Sequence, residues 1–366
     1  MKKSIAFILL ILLSACSVQN QSNSGIQPNN NTVNIISQDD SVDDSFPIFV
    51  GEWEIGHIHD IAWNSTSTQF AANYYVYGEN GGPHVLAVNL LSDIETWEVD
   101  DSLSSSLLFT NTDHYLIEVN CFAPKLYFRD PATGGILNSF SPETSCNGGG
   151  QMLIKSQEDG IIYSADWNDL LGLNTNHMVR INRWNLNQET CEQVILYQGS
   201  FDLFDINSSG TRLVYGETFE DNGIVVWDTV KGENICSYPA DSYGQFLPGT
   251  DTLLVLGDQK INFIDSTVCE ELRSLPIQTI GNNLAISSQG NQIATVDKEI
   301  EIHDLASSEL LMTIPVPENA SVYDYKLFHH GLVFSPDGKY IVAGFLINSE
   351  HGLLQLWQIQ PDGGID

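Results

Sequence analysis

The stretch IVVWDTVKGENICSYP, Ile224 to Pro239, sets three aliphatic residues before Trp227 and Asp228, then Lys231-Gly232, then a second apolar run through Ile235 and Tyr238. The pattern is that of a strand, a tight turn and a second strand. One such hairpin fits almost any β protein. A repeat of it every 40 residues or so fits very few, so the surrounding sequence decides what the hairpin means.

The neighbours repeat it. Residues 332 to 361, LVFSPDGKYIVAGFLINSEHGLLQLWQIQP, hold an apolar strand, the turn Ser335-Pro336-Asp337-Gly338, a second strand to Gly344, a loop, and a third strand ending at Trp357-Gln358. Just upstream of the opening hairpin, FDLFDI, the turn Asn207-Ser208-Ser209-Gly210 and TRLVYG run in the same order. With that order fixed, the residue closing the third strand falls at Asn89, Asp130, Asn185, Asp228, Asp265, Asp304 and Gln358. All but the last are Asn or Asp, whose side chains bond to nearby backbone amides and suit tight turns. The first six units each add a fourth short strand, such as IETWEV and NICSYP, and the seventh stops after its third. An orphan strand, PIFVGEWEI from Pro47 to Ile55, has the length and alternation to supply the missing one.

Trp227-Asp228 is the only literal Trp-Asp pair and Gly56-His57 the only literal Gly-His pair. On these residues and this repeat, residues 47 to 361 resemble the WD-repeat propeller family. The resemblance implies an all-β, seven-bladed β-propeller with four antiparallel strands per blade and the N-terminal strand closing the last. A closed ring leaves no open strand edge at that joint. A β-sandwich is the competing architecture, and it explains neither the closing strand nor the recurrent terminus.

Outside residues 47 to 361 the chain reads differently. MKKSIAFILLILLSACS has two lysines, an apolar run from Ile5 to Leu13 and small residues before a cysteine, the layout of a secretory signal. Leu13-Ser14-Ala15-Cys16 resembles a bacterial lipobox, which implies a lipoprotein signal peptide over 1–15 and acylation of Cys16. Residues 16–46 are rich in Asn, Ser, Gln and Asp and read as a disordered tether with a reach on the order of 30 Å. Residues 362–366 form a short C-terminal tail. With 47 acidic residues against 14 basic ones, the formal charge is −33, which disfavours nucleic acid and anionic lipid as partners. The expected location is the bacterial cell envelope, at the outer membrane in a Gram-negative cell because Ser17 is not Asp, with the membrane contacted through the lipid anchor.

The propeller reading assigns places to the remaining chemistry. Loops between strands two and three, and from strand four to the next blade, share one face, here the top. Cys121 and Cys146 fall in top-face loops, and export permits a disulfide between them. Cys191, Cys236 and Cys269 fall near the start of fourth strands and read as three unpaired thiols. His57, His59, His84, His329, His330 and His351 map to top-face loops or loop edges around the ring closure, beside Asp60. They are weak candidates for a metal because no metal-site spacing is present, so the expectation is no metal and no cofactor.

No G-x-S-x-G elbow, Walker loop, H-E-x-x-H or C-x-x-C motif occurs. No catalytic residue is assigned. The resemblance implies a non-catalytic interaction scaffold for an unidentified envelope or extracellular protein. The blade-three loop Asp166 to His177, with Trp167, Leu170 and Leu171, is a contact candidate or else packs back on its blade. The alternative is a propeller enzyme or a small-ligand or carbohydrate binder with its site at the top-face channel, supported by the histidines, Tyr323 and Tyr325.

Overall fold

A computed structural model describes residues 47–360 apart from 78–80, 92–94, 101–103, 121–122, 143–145, 147–149, 151, 157, 168–177, 199–203, 218–222, 240–243, 258–259, 278–282, 297, 318–319, 323–330 and 349–350. Seven antiparallel sheets follow one another along the chain, and no helix occurs among the described residues. Blade one comprises His57–Trp63, Gln69–Val76, Gly82–Asn89 and Glu95–Val99, paired in chain order. Blades two to six repeat this over Ser104–Phe140, Met152–Gln198, Phe204–Pro239, Gly244–Pro276 and Asn283–Pro315.

Blade seven departs from the pattern at both edges. Its inner strand is split into Ser321–Val322 and Leu332–Phe334, both paired with Tyr340–Leu346. Its outer strand is Ile48–Ile55, antiparallel to Gly352–Gln358 from the pair Ile48/Gln358 to the pair Ile55/Gly352. The orphan strand of the sequence is therefore the closing strand. The architecture is a seven-bladed β-propeller.

The recurrent Asn and Asp residues do what their chemistry requires. Each accepts from backbone amides just ahead of it: Asn89 from Leu91 at 2.9 Å, Asp130 from Ala132 at 2.9 Å, Asp228 from Val230 and Lys231 at 2.9 and 2.8 Å. Asp304 accepts from Ala306 and Ser307 in the same way. Such bonds, with the Thr267 hydroxyl first and then its amide at Asp265, favour the carboxylate and hold Asp228, Asp265 and Asp304 below the ordinary acid range. The residue four positions later takes a left-handed backbone in five blades: Gly134, Glu189, Gly232, Cys269 and Ser308. Glycine meets that demand without a Cβ penalty, and the other three blades with a described residue there accept the strain.

Apolar residues are buried between blades rather than around the central axis. Seven clusters occur, one at each junction, because each sheet presents apolar residues to both neighbours. At the closing junction Trp53, Trp63 and Phe70 pack ring to ring at 5.6 and 5.2 Å. Each such side chain taken from water contributes about 1.5–3 kcal/mol. Blade two also buries an ion pair, Arg129 Nε to Glu118 Oε2 at 3.0 Å, with both side chains 1% exposed. Arg129 occupies the place, just before the turn Asp, that Trp227 holds in blade four.

Polar side chains tie adjacent blades through their inner strands. The Asp60 carboxylate accepts from Ser106 Oγ at 2.6 Å and Leu107 N at 2.8 Å, one blade further on. Ser106 Oγ then accepts from Leu153 N of blade three, and Asp205 of blade four accepts from Phe246 N of blade five. On the opposite face from the top, Asp113 accepts from Ser65 N and Oγ, and Ser67 Oγ accepts from Asp337 N across the ring closure.

The cysteines correct the expected pairing. Cys146 is bonded to Cys191, and Cys236 to Cys269, with Cα separations of 5.9 and 5.8 Å. Cys121 lies outside the described residues, and no described cysteine is free. The three fourth-strand thiols are not equivalent. Cys236 is the eighth residue after its turn Asp and Cys269 the fourth after its own. The turn between strands three and four of one blade reaches over the outer strand of the blade before it, and that offset brings the two within bonding range.

Candidate functional site

The ring-closure histidines start on the first strand of blade one. Ile58 pairs with Tyr74 and Asp60 with Asn73, so His59 is the extra residue of a bulge. The rings of His57 and His59 lie side by side with centroids 5.3 Å apart, and Tyr77 stands edge-on to His57. Both are buried, at 1% and 5% exposure. Burial pushes His57 down to about 4; burial first, then repulsion from His57, pushes His59 down to about 3. Both are neutral at physiological pH. Asp60 beside them is engaged by Ile61 N, Ser106 Oγ and Leu107 N, so its carboxylate joins blades one and two.

Of the other candidate histidines, the two described ones have different surroundings. His84 stacks on Tyr74 and meets Glu98 through Nδ1 at 3.1 Å, and the same Glu98 oxygen accepts from the Tyr74 hydroxyl. His351 is exposed in the hairpin between the last two strands, held through its backbone by Ile347 and Asn348. His329, His330, Tyr323 and Tyr325 lie outside the described residues, as does Cys16. No group of three His, Cys, Asp or Glu suited to a metal occurs among the described residues. Trp167 ends the second strand of blade three, its backbone opposite Val179, while Leu170 and Leu171 lie outside the described residues.

A concave site does occur, on the face opposite the top. A cavity of about 390 Å³ opens between blades two and three. Phe109, Tyr115 and Phe128 of blade two form its apolar side; Lys155, Asp159 and Glu189 come from blade three. Tyr115 is 38% exposed and stands edge-on to Phe128 at 5.5 Å. Lys155 is exposed to solvent there, with Asp113 nearby.

The gap has a specific origin. At three other junctions the eighth residue after one turn Asn or Asp meets the next blade's strand-three-to-four turn. Trp97 packs there on Gly134, where a Cβ would come within 2.5 Å of the indole, and Nε1 of Trp97 donates to Pro131 O at 2.8 Å. Cys236 and Cys269 are joined there covalently. Arg273 donates to Leu305 O at 3.1 Å and lies 3.8 Å over Phe263. Between blades two and three the corresponding residues are Asn138 and Glu189, and both line the cavity. Sequence reasoning missed the site because its signal is a missing bulky residue, visible only once both offsets are aligned.

No family model and no curated protein matches the sequence. Solved structures match in large number, 1344 chains, as a widely used ring architecture would. One is a chain of the crystal structure of the mitotic checkpoint complex, with TM-score 0.60 and 15% identity over 94% of this chain and 98% of that one. At that identity the likeness carries the fold alone.

Proposed function

We propose that the chain is a lipid-anchored envelope protein whose propeller is a non-catalytic platform for binding another protein. The observation that carries this reading is the use made of the ring-closure residues. Asp60 bridges blades, and His57 and His59 are neutral and buried within blade one, so the groups best placed for chemistry near the top face serve the ring. A ring joined by side-chain bonds and two disulfides is a rigid support for the loops it carries, the property a docking platform needs. Disulfides also suit an exported protein. The signal-like N-terminus and Cys16 supply the anchor in this reading.

Two measurements test it. Radiolabelled palmitate should enter the wild-type chain in a bacterial host, and Cys16→Ser should abolish labelling and release the protein from the membrane fraction. Cross-linking in intact cells, with sites mapped by mass spectrometry, should place a protein partner on top-face loops, including residues 168–177. Cross-links confined to the opposite face, or unchanged membrane retention of Cys16→Ser, would count against the reading.

A further inference from the structure

We propose that the cavity between blades two and three is a binding site for a neutral, polyhydroxylated small molecule, a sugar of one or two rings. At about 390 Å³ it sits at the lower end of the range for small-molecule sites. The proposal does not rest on the platform reading, since it concerns the opposite face.

The lining fits that chemistry better than the alternatives. A sugar presents C–H groups on its ring faces and hydroxyls around its edge. Tyr115 offers a partly exposed aromatic surface for the first. Asn138, Asn187, Asp159, Glu189 and Lys155 offer donors and acceptors for the second, and a hydroxyl is donor and acceptor at once. The Asn187 amide donates to Asp159 O at 3.2 Å, which orients it and leaves its carbonyl oxygen as an acceptor. An apolar ligand would strip water from three charged groups without replacing their hydrogen bonds. An anion would meet two carboxylates against one ammonium, in a protein of formal charge −33.

The site is also built rather than left over. Leu108, Phe128 and Ile162 of its lining belong to the apolar cluster that contains the Cys146 and Cys191 side chains, so a disulfide braces its back. The positions that seal other junctions with Trp97 and Gly134, or with Cys236 and Cys269, here carry hydrogen-bonding side chains around an open space.

The test is calorimetric and saturation-transfer NMR titration of the full chain with glucose, galactose, N-acetylglucosamine, maltose and cellobiose. Glucuronate serves as the charged control. At least one neutral sugar should bind saturably, with glucuronate about tenfold weaker or more. Tyr115→Ala, a change at a half-exposed ring, should weaken binding by a similar factor. The double variant Asn138→Trp/Glu189→Gly reproduces the Trp97–Gly134 arrangement; with a wild-type circular dichroism spectrum it should bind no sugar. Failure of every neutral sugar to bind, equal binding of glucuronate, or undiminished binding by Tyr115→Ala or by the folded double variant would overturn the proposal.

Discussion

Two buried histidines on one strand give the protein a pH dependence with a defined sign. His57 and His59 titrate near 4 and 3 in the fold, against an ordinary value of 6.5. Between those values the unfolded chain binds more protons than the folded one, so stability falls as pH falls. The stabilisation is fully present above pH 6.5 and is lost progressively toward the folded values. At pH 5 each imidazole costs about 2 kcal/mol relative to pH 7.5, and the pair about 4 kcal/mol. Acidification also relieves repulsion among the 47 acidic residues, so the wild-type curve alone mixes opposing effects. The informative quantity is the difference between wild type and His57→Gln/His59→Gln, whose amides do not titrate. Urea unfolding followed by Trp fluorescence at pH 7.5, 6 and 5 gives both curves. The double variant is less stable at pH 7.5, yet its loss between pH 7.5 and 5 should be smaller by about 4 kcal/mol. Each single variant should show about half that difference. Parallel curves for wild type and double variant would refute the reasoning.

Other consequences are open to equally direct measurement. Non-reducing peptide mapping should recover Cys146 joined to Cys191 and Cys236 to Cys269; Cys236→Ser/Cys269→Ser should lower stability by about 4 kcal/mol for a sequence separation of 33. Replacing Arg129 with Met removes the cation paired with buried Glu118 and should cost about 3–5 kcal/mol in urea unfolding, while adding Glu118→Leu should restore much of the loss. Deleting residues 1–55 exposes the Gly352–Gln358 strand, and size-exclusion chromatography should then show a shift to larger species relative to the intact chain.

The ring was legible in the sequence because its turns are local. Asn89, Asp130, Asp228 and Asp304 bond to amides two or three residues ahead, and such bonds leave an Asn or Asp at a fixed place in six of the seven repeats. The closing strand was legible by subtraction, since six units had four strands and the seventh three. Features that depend on contacts between repeats were not. The pairing of Cys236 with Cys269 joins an eighth position to a fourth, so placing both at the start of the fourth strand concealed it. Asp60 stood beside histidines in sequence and suggested a ligand set, whereas its Oδ2 accepts from the next blade and its Oδ1 from Ile61 N. The bulge at His59 follows from pairing with the neighbouring strand, and no residue type announces it.

The pairing of Ile48 with Gln358 also dictates an order of events. The first strand of the propeller to be synthesised is the partner of the last, so the ring cannot close until Gly352–Gln358 is made. Until then two β edges wait at opposite ends of a growing arc, each a template for a wrong partner. Such long-range closure makes for slow folding and a lengthy interval of exposure to aggregation. If the chain is exported as proposed, that interval falls on the far side of a membrane, where disulfides can form.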